Sequence, residues 1–326
     1  MRVDSVFRMA ELYSRNWLVA FSGGKDSTVL LDLAYRYALD RGVRLVVVHN
    51  EELLKAPPMF EWVYSVVNRL SSVGVEVYVI VPREDFITMI FERHYSPPGP
   101  AFMWCTARIK ERPTLKFMRM LEGRWVKMTG VRVDESATRG RLIRRRCSLT
   151  DTCGQSAWLQ RVAGPSIDIA PIADWTTSEV IAYLRTHRQP WTNEAEDYSF
   201  LLERVYCGMD RIRSGCTLCT VVGDDEMLKA YAGCFNDERY LRVLELKREL
   251  RRVGFDWSLR EYRSKKLNER GLEVVRELLI RIFEAMPELL MGYATFKPEV
   301  IEKHLPELTH LLPQVTRKVS TDVVIL

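Results

Sequence analysis

Short dense apolar runs alternate with amphipathic stretches through the first half of the chain. Trp17-Leu18-Val19-Ala20-Phe21 has strand length, and Ser22-Gly23-Gly24-Lys25-Asp26-Ser27 follows it. The next segment, TVLLDLAYRYALD, carries apolar residues at helical spacing. That order predicts strand, glycine turn and helix. Residues 4–16 predict a helix before it, with Val6, Met9, Ala10 and Tyr13 on one face. Arg44 to Val48, Val75 to Val81, Arg124 to Thr129 and Ser166 to Ile169 predict further strands, and Pro58 to Ser72 a second helix. Strands alternating with helices imply an α/β fold with a mostly parallel, doubly wound sheet covered on both faces. Ligands of such sheets sit beyond the carboxyl ends of the strands. The turn 22–27, His49-Asn50-Glu51 and Gly130-Val131-Arg132 all fall there.

The pattern changes near residue 177. Ser178 to Thr186 predicts a helix capped by Thr177 or Ser178. A loop rich in Cys and Gly spans 205–222, and beyond Glu226 the pattern is helical and highly charged. Two regions are expected: 1–225, a nucleotide-binding domain, and 226–326, a helical region. The terminal Asp322 to Leu326 reads as an added strand or a packed tail.

Composition alters this picture in four places. With 326 residues, 47% of them hydrophobic, the chain can bury a sizeable core. The net charge of +5 is mild, but Arg139 to Arg146 reads RGRLIRRR, which fits either a nucleic-acid or phosphate surface or a solvated basic face. No signal-type segment and no membrane-length apolar run is present, so a cytoplasmic protein without membrane association is expected. In a reducing compartment seven cysteines point to metal or catalysis before disulfides.

The turn Ser22 to Ser27 carries the phosphate chemistry. Its glycines admit close backbone approach, and the helix start behind it offers free N–H groups to an anion. Ser22 and Ser27 add hydroxyl donors and Lys25 a point charge. Asp26 would repel phosphate unless it caps the helix or holds Mg²⁺. The sequence lacks the Walker pattern. A plain glycine turn is the bland alternative.

SGGKDS resembles the signature of PP-loop ATP pyrophosphatases and 3′-phosphoadenylylsulfate reductases, an adenine nucleotide alpha hydrolase-like group. Three more segments match in order: Cys105 and Arg108 with Lys110 and Pro113; Gly130, Arg132, Glu135, Ser136 and Arg139; and Pro171 to Thr176 with Val180 and Tyr183-Leu184. The resemblance implies ATP or an adenylylsulfate-type nucleotide, with Mg²⁺, on Ser22, Gly23, Gly24, Lys25, Asp26, Ser27 and Gly130. Arg108, Arg132 and Arg139 would meet the phosphates in pairs of hydrogen bonds. His49 and Asn50, or Glu51, would lie by adenine or ribose. Lys25, Asp26, Cys105 and Arg132 are the expected catalytic residues. Asp26→Ala should abolish turnover with little loss of fold. Trp175 reads at least as well as a core aromatic.

Cys207-Gly208, then Gly215-Cys216 and Cys219, place thiols at spacings able to reach one metal. Residue types do not separate Zn²⁺ from an iron–sulfur cluster. The string GCTLCTVV after CG is similar to DndC-type enzymes that place sulfur on the DNA backbone, which implies a [4Fe-4S] site on Cys207, Cys216 and Cys219. The family's first cysteine is replaced here by Tyr198, so Cys153, Cys147 or Cys105 would supply the fourth ligand. Arg108 and Lys110 should lower the Cys105 pKa. Cys234 reads as buried and inert.

Three functions compete. The first is ATP-dependent sulfur transfer to DNA or tRNA, with sulfur from a donor such as a cysteine desulfurase. The second is reduction of phosphoadenylylsulfate or adenylylsulfate, against which stands the lack of cysteine after Cys234. The third is a non-catalytic nucleotide sensor with structural zinc.

Overall fold

The computed structural model describes residues 2–135, 160–161, 166–192, 196–210, 212 and 215–326. The RGRLIRRR run, Ser136, Arg139, Cys147 and Cys153 lie outside the described residues.

The sheet contains β1 (Asn16–Ala20), β2 (Arg44–Asn50), β3 (Glu76–Val81), β4 (Val126–Met128), β5 (Gln160–Arg161), β6 (Ile167–Ile169) and β7 (Asp322–Ile325). Their order across the sheet is β5-β6-β4-β1-β2-β3-β7. Every pairing is parallel except that of the two-residue edge β5 with β6. The terminal apolar segment is thus an added strand, which takes the edge beside β3.

Alternation along the strands divides the core. Trp17, Val19, Val47, Val77 and Val79 point into the main apolar cluster, and Leu18, Val46, Val48 and Ile80 into a smaller one on the opposite face. The helices α1 (Arg2–Tyr13), α2 (Lys25–Arg41) and α3 (Pro57–Ser72) supply buried residues to the main cluster. A helix at Phe86–Phe91 (α4) adds Phe86, Ile87, Met89 and Ile90. The opposite face is covered by α5 (Arg112–Met120), through Phe117 and Met118.

Helix α6 (Thr177–Thr186) begins one residue earlier than its composition predicts. Thr176 is the cap: its hydroxyl accepts from Glu179 N, and the Glu179 carboxylate accepts from Thr176 N. The charged C-terminal stretch forms α7 (Glu226–Phe235), α8 (Arg239–Val253) and α9 (Glu269–Ala285), then shorter helices. Val243, Leu246, Leu250, Val275, Leu279 and Ile282 bury one stripe of α8 and α9 in the same apolar cluster as the sheet.

The chain runs from β1 to β2 and β3 on one side, whereas β4 and β6 lie on the other. The loops after β1 and β4 therefore leave the sheet side by side at its carboxyl edge, where strand order reverses.

Candidate functional site

At that switch point the two loops touch. A Cβ on Gly130 would stand 2.9 Å from the backbone of Asp26 and Ser27. Backbone cannot yield as a flexible side chain does, so glycine is required at 130. Gly23 is held twice over, by φ +84° and by Val63, whose methyl would lie 2.3 Å from an added Cβ. Gly130→Ala is expected to cost roughly 1–3 kcal/mol by overpacking and to displace the phosphate loop. Thermal unfolding together with nucleotide binding checks it, and an unchanged melting temperature would contradict the contact.

Within the loop, the Ser22 and Ser27 hydroxyls are 3.0 Å apart, Ser22 N donates to Ser27 Oγ at 3.2 Å, and Ser27 Oγ donates to Gly24 O at 2.9 Å. Trp62 Nε1 holds Gly23 O at 3.0 Å, and Lys25 N donates to the Tyr206 hydroxyl at 3.2 Å. The Lys25 ammonium lies 4.8 Å over the Tyr206 ring and donates to Ile212 O at 3.2 Å.

The loop opens on a cleft of about 370 Å³ that Ser22, Gly24, Lys25, Asp26, Ser27 and Gly130 help to line. Three lysines stand around it: Lys25, Lys55 and Lys110. Two of the arginines singled out from sequence, Arg132 and Arg108, are engaged elsewhere. Arg132 is buried; it donates to Asp26 Oδ1 at 2.7 Å, to Trp175 O at 2.9 Å and to Thr177 Oγ1 at 3.3 Å. Asp26 is therefore not the helix cap, a place held by Gly24. It faces the cleft while paired with Arg132. Arg108 pairs with Glu84 at 2.7 Å and lies over the Tyr95 ring, outside the cleft lining.

The end of β2 differs most from the sequence reading. Glu51 is fully buried, accepting from Tyr64 Oη at 2.6 Å, Leu53 N at 2.6 Å and Lys55 Nζ at 2.8 Å. Burial alone would raise its pKa, but the Lys55 ammonium and His49 hold it far below the usual carboxylate range. His49 Nδ1 is 2.8 Å from Phe21 O, and its ring is buried. Asn50 Nδ2 donates to Ile109 O at 2.7 Å. None of His49, Asn50 and Glu51 lines the cleft; the neighbouring Glu52 and Lys55 do. Burial opposes ionisation of Glu52, but Lys110 and Lys55 keep its carboxyl below the usual value. In turn Glu52 raises the Lys110 pKa. Sequence reasoning did not select Lys55, Glu52 or Thr129. The only signal was position, since all three follow strands at the carboxyl edge. Thr129 Oγ1 is buried beside the cleft with no hydrogen-bond partner among the described residues.

A second cleft of about 430 Å³ adjoins the first, and Met59 and Gly215 line both. Its walls are largely apolar, and Cys216 and Cys219 lie in them. Cys105 belongs to the same neighbourhood, because Cys219 and Lys110 both act on its thiol. Burial and Cys219 push Cys105 up, and Lys110 offsets only part of this, so the lowered pKa expected there does not occur. Burial, then Cys219, pushes Cys216 up to about 12. Cys216 is thus a thiol at neutral pH, and its thiolate fraction climbs tenfold per pH unit toward that value. Iodoacetamide should label it at least tenfold more slowly than exposed Cys234 at pH 7.5. Equal labelling rates by mass spectrometry would contradict this burial.

Cys207 does not join that group. Its thiol interacts instead with that of Cys234, which is exposed and not buried as its sequence setting suggests. Among the described residues no three His, Cys, Asp or Glu side chains converge to hold a metal ion. The described residues by themselves therefore assemble no zinc or iron–sulfur centre, and no chemical step is derived through one. Among the same residues no helix is long and apolar enough to cross a membrane.

A parallel sheet with a glycine phosphate loop at its switch point and lysines around the adjoining cleft defines a nucleotide-binding enzyme fold of the PP-loop kind. The chain belongs to the family of the phosphoadenosine phosphosulfate reductase domain, whose model matches residues 16–198. An uncharacterized protein of Methanocaldococcus jannaschii is 28% identical over 258 residues, 76% of this chain. The chain spans 42% of the length of that relative. The crystal structure of phosphoadenylyl-sulfate reductase from Candida auris, a phosphate complex, is similar at a TM-score of 0.42 and 15% identity, over 66% of this chain and 88% of that one.

Proposed function

We propose that the chain is an ATP-dependent sulfurtransferase that adenylates an oxygen of its acceptor, DNA or tRNA, and replaces it with sulfur. The observation that carries this reading is the junction of two clefts, one walled by the phosphate loop and lysines, the other by thiols. A triphosphate would rest at the start of α2, with Lys25, Lys55 and Lys110 opposing its charge. The acceptor oxygen attacks the α-phosphorus and pyrophosphate leaves. A persulfide formed on Cys105, Cys216 or Cys219 by a donor such as a cysteine desulfurase then displaces AMP through its outer sulfur. A neighbouring thiol breaks the resulting S–S bond and frees the thiolated product, and an external thiol reductant reduces the protein disulfide so formed. The apolar walls around Cys216 keep water from competing for the activated intermediate.

Incubation with ATP, Mg²⁺, sulfide and nucleic acid should release pyrophosphate and yield a thiolated product. Lys110→Ala should lower kcat roughly 100-fold, because its ammonium stands where phosphate charge develops. The family's own description favours a second reading, reduction of phosphoadenylylsulfate. Thiol-dependent sulfite release from that substrate without ATP would establish it and overturn the first.

A further inference from the structure

Cys207 and Cys234 stand apart from the thiol-lined cleft. Cys207 follows the wide π-helical turn Phe200–Val205, and Cys234 lies in the last turn of α7. Each thiol lies close enough to act on the charge of the other. They also address adjacent carbonyls: Cys234 Sγ is 3.5 Å from Glu203 O, and Cys207 Sγ is 4.0 Å from Arg204 O. Contacts on both sides fix the crossing. Tyr231 Oη donates to Val205 O at 2.9 Å, and the Arg204 guanidinium lies 4.5 Å over the Phe235 ring. The elements that carry the two sulfurs are thus already packed together, with the thiols on neighbouring carbonyls of one turn. Cys234 is exposed and reachable by a small reagent, whereas Cys207 is half-buried behind it.

We propose that Cys207 and Cys234 are an oxidative modification site, a dithiol that closes into a disulfide by exchange with a low-molecular-weight disulfide. The Cys234 thiolate attacks one sulfur of the reagent, breaks its S–S bond and releases the first small thiolate. Cys207, whose thiol burial and Cys234 push up to about 12, gives up its proton as its sulfur attacks Cys234 Sγ, and the mixed disulfide breaks and releases the second. Two protein thiols are oxidised, one small disulfide is reduced to two thiols, and the two protons pass to the departing thiolates. These sulfurs are not those of the proposed transfer reaction, so the inference stands whether or not that reading does.

The bond would reach the phosphate loop through one residue. Tyr206 precedes Cys207, and its hydroxyl accepts from Lys25 N at 3.2 Å while its ring lies under the Lys25 ammonium. Anchoring Cys207 to α7 restrains that contact, and the loop 22–27 with it.

The test treats the purified chain with oxidised glutathione, maps peptides without reduction and follows hydrogen exchange over residues 22–27. A Cys207–Cys234 linkage is expected, with exchange in the loop slowed about threefold. In Cys234→Ser, an exposed and conservative change, Cys207 should stay unlinked and loop exchange unchanged by the reagent. Linkage of Cys207 to Cys216 or Cys219, separate glutathione adducts, or two free thiols would overturn the site. Zinc or iron protecting Cys207 from the reagent would overturn it also. A disulfide that leaves loop exchange unaltered would overturn the coupling to the phosphate loop.

Discussion

Glu51→Gln is expected to destabilise the fold by about 3 kcal/mol at neutral pH. The Lys55 side chain is 2% exposed, and Glu51 is the carboxylate that meets it at 2.8 Å. Glutamine leaves that buried ammonium with Glu52, at 3.5 Å, as its carboxylate partner, and it cannot accept from Lys55, Leu53 N and Tyr64 as the carboxylate does. The pH dependence has a definite sign. Glu51's pKa is depressed on folding, so its contribution is fully present above the unfolded value and lost as pH falls toward the folded one. The gap between wild type and variant should therefore shrink by about 1.4 kcal/mol per unit below pH ~4.3. Urea midpoints at pH 7 and pH 3.5 measure it. A gap that widens in acid would show that Glu51 is not ionised in the folded chain.

Asp26→Ala should remove both activity and stability. The Arg132 side chain is 2% exposed, and its Nε donates to Asp26 at 2.7 Å. Without that carboxylate a buried guanidinium keeps the Trp175 carbonyl, Thr177 and, at 3.5 Å, Asp134. A loss of about 3 kcal/mol is expected, in contrast to the intact fold that the motif alone suggests. Adding Arg132→Met to Asp26→Ala should recover at least about 1 kcal/mol, because an apolar side chain leaves no stranded charge. Activity should not return in the double variant. If the single variant is as stable as wild type, the pair is not a structural tie between the loops after β1 and β4.

Much of the frame was legible because its signals are local. A strand buried on both faces must be apolar throughout, and Trp17 to Ala20, Arg44 to Asn50 and Glu76 to Val81 took the places their composition announces. The phosphate loop was legible for the same reason, since a close backbone approach restricts which residues fit at Gly23. Cap positions were less so: Thr176, Thr177 and Ser178 are chemically alike, and only the reciprocal bond with Glu179 picks out Thr176.

The roles of charged and sulfur-bearing residues were not legible, because they depend on which long side chains meet across the fold. Arg108 reaches Glu84 rather than the cleft, although its motif places it among the phosphate ligands. Lys110, two residues on in the turn Thr106–Glu111, lines the cleft because side chains two apart on a helical turn point to nearly opposite sides. Cysteine spacing gave equal title to Cys207, Cys216 and Cys219. The fold sends Cys207 to α7, 27 positions along at Cys234, and leaves Cys216 and Cys219 in the second cleft, with Cys105 in the same neighbourhood.

By itself the sequence determined the strands, the glycine loop and its helix, since hydrophobic period and backbone freedom act over a few residues. Only the tertiary structure decided which cations face the cleft, that Glu51 is sealed in the core, and which thiols meet. Those outcomes turn on contacts between segments far apart in the chain, where burial and ion pairing select one partner from several that the sequence offers equally.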